Sequence, residues 1–267
     1  MTRALPFYQV DAFTDAAFGG NPAAVVISQA PLRAGQMQAI AAENNLSETA
    51  FLVPRSDGDW DLRWFTPTLE VDLCGHATLG AARALQHRGD LQGRTCFHTA
   101  SGVLAVAATG SRLEMDLPVV PVNERVEDPA LIAALGQTAE LWSVPRIHGC
   151  RYVLCRVANE TAVRAATPDL PALRALETNV VLTAPGDGPH DVVSRFFAPG
   201  SGVEEDPVTG SAHCTLSPFW SGRLGRQTLH CVQASARGGE LEATLDGDRV
   251  RLSGHAVVVI EGTLHAP

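Results

Sequence analysis

A short motif occurs twice in the chain and sets limits on its architecture. The letters RWFTP at 63–67 return as RFFAP at 195–199, about half a chain length later. Each copy runs through an acidic loop to a glycine that opens a small-residue segment, Gly75 in the first half and Gly210 in the second. Because the motif and its distance to the glycine both recur, the pattern indicates a duplicated unit. We therefore predict two similar lobes, each with a central helix wrapped by strands.

The length and composition agree with a two-lobed fold. The chain has 267 residues, which suits two lobes of roughly 130 residues each. Hydrophobic residues make up 45% of the chain, so a sizeable core is expected. The two prolines within 118–121 indicate a crossover. We place the N-terminal lobe at 1–118 and the C-terminal lobe at 119–267, with a terminal strand that can return to the first lobe.

Hydrophobic patterning predicts an α+β chain with many short strands and few helices. The Ala/Leu-rich segment 75–88 has no interior breaker and is predicted to be a buried helix that ends at Gly89. A second buried helix is predicted at 210–220, bent by Pro218. The tail 227–260 indicates a meander of strands broken at glycines 238–239, 247 and 254.

The starts of the two central helices are candidate binding groups. If the lobes face each other, both N-termini converge, and each offers unpaired backbone N–H groups and the positive end of a helix dipole. Two such ends suit a carboxylate. The alternative is a pair of unrelated buried helices that merely begin at Gly75 and Gly210.

The charge of the chain excludes several classes of function. A formal net charge of −9 gives no electrostatic reason to bind nucleic acid or an anionic membrane. All 20 basic residues are Arg. Without Lys, neither Schiff-base pyridoxal-phosphate chemistry nor a Walker-type phosphate loop is available.

The cysteines and the start of the chain favour a cytoplasmic protein with reduced thiols. Six Cys occur without a C-x-x-C pair, no apolar run approaches a bilayer-spanning length, and no signal peptide is evident. Cys74, His76, His213 and Cys214 have the residue types of a zinc site. They lack the compact spacing of one, so no metal is expected.

Several motifs together resemble one family. The letters NLSETAF at 45–51, CGHAT at 74–78 and DPVTGSA at 206–212, with VDAF at 10–13 and GNPA at 20–23, are similar to the PhzF-like (phenazine-biosynthesis) family. The resemblance implies the diaminopimelate-epimerase fold, in which two pseudo-symmetric strand-rich barrels enclose a site between them. It also implies a homodimer, no metal or organic cofactor, and a proton-transferring isomerase that acts on a small carboxylate.

The resemblance assigns the acid/base role to Glu48 and supporting roles to His76 and Asp206. An inward-facing carboxylate in the apolar stretch 46–53 suits this role, because burial disfavours its charged form and it must both take and return a proton. By itself, an exposed Glu48 on an edge strand is the simpler interpretation. His76 lies in the first turn of its helix, where the dipole predicts a neutral imidazole. Asp206 binds a substrate amine or hydroxyl, relays a proton, or serves only as a turn residue.

The carboxylate-binding positions implied by the family are Gly75, Gly210 and Ser211. Glycine permits close backbone approach, and the Ser211 hydroxyl adds a donor. The repeated arginines, Arg63 and Arg195, lie within strand-like runs and are expected to pair with nearby acids as structural partners.

Two alternative functions stay open. The Cys74 motif is also similar to the thiol motif of proline racemases and diaminopimelate epimerases, which use one thiol from each lobe. Thr209, a poor base, occupies the matching second position and disfavours a two-thiol mechanism. A one-thiol epimerase or dehydratase using Cys74 remains, as does a non-catalytic ligand-binding protein on the same fold.

Overall fold

The computed structural model describes residues 3–147 and 150–266. The chain divides into two compact units, Met1–Asp116 with Leu252–Pro267 and Leu117–Arg251. The lobe boundary between 118 and 119 stays a prediction, and each unit is described by itself. Among the described helices, none combines the length and apolar character that a membrane crossing requires.

Nine of the described strands lie in the first unit, which includes the returning end of the chain. They are numbered with the rest of the chain in sequence order: β1 (Arg3–Ala12), β2 (Asn21–Ile27), β3 (Glu48–Pro54), β4 (Trp60–Phe65), β5 (Glu70–Val71), β6 (Arg94–Thr99), β7 (Gly102–Thr109), β8 (Arg112–Pro118), β9 (Arg125–Val126), β10 (Glu140–Ile147), β11 (Cys150–Arg156), β12 (Thr178–Pro185), β13 (Val192–Ala198), β14 (Val203–Asp206), β15 (Thr228–Gln233), β16 (Gly239–Asp246) and β17 (Arg249–Ala266). The helices are α1 (Ala34–Asn44), α2 (Gly75–Arg88), α3 (Pro129–Leu135), α4 (Glu160–Arg164), α5 (Leu170–Ala175) and α6 (Gly210–Leu224), with a 3₁₀ turn at Pro199–Ser201.

Eight strands of the first unit close into a barrel. Strand β1 pairs with β2, β2 runs parallel to β3, β3 pairs with β4, and β4 runs parallel to β6. The strands β6, β7 and β8 continue antiparallel, and β17 pairs with both β8 and β1. Helix α2 packs against β1, β2 and β3. Its small residues are buried on every side, as expected of a helix that is apolar all round, and it ends at the left-handed Gly89 as predicted.

The second unit repeats the same order of pairings. The antiparallel pair β10–β11 is followed by parallel β11–β12, antiparallel β12–β13, parallel β13–β15 and antiparallel β15–β16. Helix α6 packs against β15 and β16. This order matches that from β1 to β7 in the first unit. The predicted α+β fold of two similar strand-rich units, each with a central helix, is therefore confirmed.

The repeated arginines occupy equivalent places in the two units. Arg63 on β4 donates two hydrogen bonds of 2.7 Å to Glu70 on β5. Arg195 on β13 donates to Glu205 on β14 at 2.7 and 2.9 Å. Each guanidinium fork ties a strand to the short strand that follows it. The prediction that both serve as structural partners of nearby acids is confirmed.

One of the strand breaks predicted for the tail does not occur in the structure. Strand β17 runs without interruption through Gly254, where a break was expected. Gly254 is buried within the strand, and strand pairing holds the residues that follow it, beginning with Ala256 opposite Ala12. A glycine can end a strand by allowing the chain to turn. Here the hydrogen-bonded pairing of β17 with β1 keeps the backbone extended.

Candidate active site

Glu48 begins β3 immediately after a chain reversal. Helix α1 ends at Asn44, and Asn45 follows it in the left-handed conformation with φ of 50°. Asn is one of the few residues other than glycine that adopt this conformation readily. The chain then enters β3, where Glu48 lies opposite Ala23 of the parallel strand β2. This reversal places the Glu48 side chain at the beginning of a barrel strand, where it is 19% exposed.

Three reactive side chains meet at the start of α2. Glu48 Oε2 lies 3.0 Å from His76 Nε2. Cys74 Sγ lies 3.6 Å from His76 Nδ1 and 4.0 Å from Nε2, beside both ring nitrogens. Cys74 is the N-cap residue of α2, and its carbonyl accepts a 2.6 Å hydrogen bond from the Thr78 hydroxyl. The structure thus brings together Glu48 and His76, and it adds Cys74 to them.

The charges around His76 change the prediction for its protonation. Burial lowers the pKa of His76, but the neighbouring Cys74 and Glu48 raise it, and the net result is a pKa well above the usual 6.5. The Cys74 sulfur is the larger of these two raising influences and the Glu48 carboxylate the smaller. Burial and Glu48 in turn raise the pKa of Cys74 to about 11. The direction of the His76 shift favours an imidazolium, against the neutral imidazole predicted from the helix end, because negative charge beside the ring outweighs the dipole.

The contact between Glu48 and His76 is close but poorly aligned. Within the described residues, the buried Oε2 atom of Glu48 has no hydrogen bond of standard geometry. Catalytic hydrogen bonds are often misaligned before a substrate binds. The pair has the composition and spacing of an acid/base couple.

Asp206 belongs to a separate network in the second unit. The Thr209 hydroxyl donates to the Asp206 carboxylate. Gln233, which is fully buried, donates to the Asp206 carbonyl at 2.7 Å and to the Thr209 hydroxyl at 3.2 Å. It also accepts from the Thr209 backbone N–H at 2.8 Å. The loop 206–209 is therefore fixed at both ends.

Gln233 was not found from the sequence. Gln233 lies at the end of a predicted strand in the tail. Nothing in the sequence pattern distinguishes it from an ordinary glutamine at a strand end. Its role depends on β15 lying beside the loop 206–209, which only the fold reveals.

The starts of α2 and α6 lack side-chain caps, as does the start of α1. Neither N-cap residue, Cys74 or Thr209, bonds a backbone N–H of the first turn through its side chain. Helices α3, α4 and α5 are all capped by Asp or Asn side chains. The predicted binding residues lie at these uncapped starts, with Gly75 first in α2 and with Gly210 and Ser211 first and second in α6. Uncapped N–H groups are available to an anion.

His213 and Cys214 bond within their own helix. His213 Nδ1 donates to the Thr209 carbonyl at 2.8 Å, and Cys214 Sγ donates to the Gly210 carbonyl at 3.7 Å. Burial lowers the pKa of His213 to about 4 and raises that of Cys214 to about 12. Both side chains therefore support the first turn of α6 as neutral groups.

Comparison with known proteins identifies the class of the chain. A Pseudomonas aeruginosa protein named as an uncharacterized isomerase is 46% identical, over 97% of this chain and 98% of its own. The structure of a predicted epimerase from the same species is 25% identical with a TM-score of 0.79, over 97% of this chain and 99% of that one. The chain is an enzyme of the isomerase class.

The family follows from a family model and from a solved structure. The family model described as phenazine biosynthesis-like protein matches residues 10–262. The crystal structure of a PhzF-family phenazine biosynthesis protein from Enterococcus faecalis is 40% identical with a TM-score of 0.91, over 98% of this chain and 99% of that one. The chain belongs to the phenazine biosynthesis-like, or PhzF, family and has its diaminopimelate-epimerase-like fold.

Proposed function

We propose that this protein is a cofactor-independent isomerase that shifts a proton on a small carboxylate substrate, with Glu48 as the general acid/base. The observation that carries the proposal is the 3.0 Å approach of Glu48 Oε2 to His76 Nε2 in a largely buried setting. A carboxylate is suited to removing a proton from an activated carbon and returning it at another position.

His76 supports this chemistry through its charge. As an imidazolium, it forms an ion pair with Glu48, the group that accepts the proton. It can also donate toward negative charge that develops on the substrate. The second unit contributes Asp206, which binds an amine or hydroxyl of the substrate or relays a proton.

The substrate carboxylate is assigned to the uncapped helix starts. Gly75 in α2 and Gly210 with Ser211 in α6 offer backbone N–H groups and a hydroxyl. These donors would hold the acid group and offset charge that develops during the reaction.

The one-thiol alternative is less well supported. Cys74 is buried, and its pKa of about 11 leaves little thiolate near neutrality. A thiol must be deprotonated to act as a base. The proposal also includes a homodimer, as the family resemblance implies, and a cytoplasmic location, which suits the six free cysteines.

Hydrogen exchange tests the proposal directly. Candidate cyclic and amino acids are incubated with the protein in deuterated water and followed by NMR. Wild type is expected to incorporate deuterium into at least one of them, and Glu48→Gln to lose at least ~100-fold in rate. Glu43→Gln, at an exposed glutamate of α1, is the matched control and should retain the rate. Absence of exchange in wild type with every candidate, or equal rates for Glu48→Gln and wild type, would refute the proposal. Stabilisation by a carboxylate without turnover would instead favour a binding protein.

A further inference from the structure

Asn179 of the second unit occupies the place that Glu48 has in the first. The repeated arginines of β4 and β13 lie opposite Phe51 and Leu182 in the antiparallel pairs β3–β4 and β12–β13. Glu48 precedes Phe51 on its strand by the same number of residues as Asn179 precedes Leu182. The second unit therefore has an uncharged amide where the first has its carboxylate.

The neighbouring strands differ at this position as well. Ala23 of β2 lies opposite Glu48 in the parallel pair β2–β3, and Tyr152 of β11 lies opposite Asn179 in the parallel pair β11–β12. A methyl group in the first unit thus corresponds to a phenol in the second. Asn179 is fully buried, and Tyr152 is only 9% exposed. Two polar side chains are therefore buried together at the place that corresponds to the Glu48 site.

The Asn179 side chain lies on the face of β12 that α6 covers. Trp220 of α6 donates a 3.0 Å hydrogen bond to the Thr183 hydroxyl of β12. Thr183 and Asn179 are an even number of positions apart on one strand, so their side chains point to the same face. Glu48 has the same relation to α2, because it contacts His76 of that helix. The two equivalent positions thus face equivalent helices.

The phenol of Tyr152 lies close to Asp206. Its ring stacks on Phe196, with centroids 5.6 Å apart and an interplanar angle of 28°, and Phe196 lies opposite Asp206 in the antiparallel pair β13–β14. Burial raises the pKa of Tyr152, hydrogen bonding with Asn179 lowers it in part, and the Asp206 charge raises it further. The phenol is therefore neutral near neutral pH and keeps its hydrogen for donation.

We propose that Tyr152 is a specificity-determining residue whose hydroxyl, beside Asp206, binds a hydroxyl substituent of the substrate. A carboxylate accepts hydrogen bonds and a phenol donates one, whereas a hydroxyl group does both. The substrate hydroxyl would donate to Asp206 and accept from Tyr152, and Asn179 would position the phenol. This inference rests on the proposed function, since it concerns the substrate of that same site.

Binding of unreactive acids tests the proposal. Benzoate and its monohydroxy derivatives are titrated into the full chain and followed by calorimetry. Wild type is expected to bind at least one hydroxybenzoate about 5-fold more tightly than benzoate, the effect of one hydrogen bond. Tyr152→Phe keeps the ring and its stacking on Phe196, so it should lose this preference while its benzoate affinity stays unchanged. Tyr8→Phe is the matched control and should retain the preference, because Tyr8, the other tyrosine of the chain, bonds Glu261 in the first unit at 3.3 Å.

Three results would overturn the role of Tyr152. They are the absence of any preference for a hydroxybenzoate in wild type, the same preference in Tyr152→Phe, and an equal weakening of benzoate and hydroxybenzoate binding in that variant, which would show a structural role. Because these acids report binding alone, the outcome is separate from the exchange experiment on Glu48. A retained preference without proton exchange would refute the isomerase and support the hydroxyl-binding role.

Discussion

Thr209 donates its hydroxyl hydrogen to the carboxylate of Asp206. In the two-thiol racemases that the sequence resembles in part, a thiol is expected at the Thr209 position. Here the side chain at this position orients an acid, and Gln233 in turn bonds its backbone N–H and its hydroxyl. The second unit is therefore built to present a fixed carboxylate.

Removal of the Thr209 hydroxyl should impair the reaction through Asp206. Thr209→Val keeps the shape of the side chain but cannot donate, so we expect the exchange rate to fall about 10- to 100-fold. Thr209→Ser restores the donor and should remain within a few-fold of wild type. Deuterium incorporation measures both rates. Equal rates for the Val and Ser variants would contradict the positioning role.

The ionisation of His76 should depend on Glu48. Wild-type His76 is expected to be protonated at neutral pH, because its pKa lies well above 6.5. In Glu48→Gln one of the two neighbours that raise the pKa of His76 loses its negative charge, so this pKa should fall. NMR titration of the imidazole resonances measures this change, with Glu43→Gln as the control. A neutral wild-type His76 at pH 7 would contradict our interpretation.

Cys74 should react slowly with alkylating reagents. Only the thiolate is nucleophilic, and a pKa of about 11 leaves little of it at pH 7. We expect iodoacetamide to modify Cys74 at least ~100-fold more slowly than the partly exposed Cys96, with the Cys74 rate rising as the pH approaches 11. Mass spectrometry of peptides over time measures both rates. Modification of Cys74 first would revive the one-thiol alternative.

His213 should make the protein less stable in acid. Its pKa is about 4 in the folded state, against 6.5 as the usual value, so the unfolded state binds the proton first as the pH falls. Stability should therefore decline from pH 6.5 to pH 4, by about 3 kcal/mol from this group. His213→Asn keeps a donor for the Thr209 carbonyl but cannot titrate.

Urea unfolding at several pH values tests this expectation. The decline between pH 6.5 and pH 4 should be smaller in His213→Asn, whereas a control change at the mostly exposed His230, His230→Asn, should leave it unchanged. The same pH dependence in His213→Asn and wild type would contradict the role of His213.

Sequence reasoning succeeded where the signal is local. Helix α2 was predicted from Gly75 to Arg88 because an uninterrupted Ala/Leu run ends at a glycine that adopts the left-handed conformation. It failed at Gly254, because only the pairing partners of β17 decide whether a glycine bends a strand. The proximity of Glu48 to His76 could be expected only from the family resemblance, because β4 and β5 separate β3 from α2 in the sequence. Gln233 needed the structure itself, because its function is a contact between distant segments.

The return of β17 to the first unit has a consequence for how the protein is made. The first barrel needs residues 252–266 for its closing strand, whereas the second unit is contained within 117–251. During synthesis the second unit therefore emerges complete while the first still has two open strand edges, β1 and β8. The half that is translated first is the half that finishes folding last, and until then its edges are available for incorrect pairing with other chains.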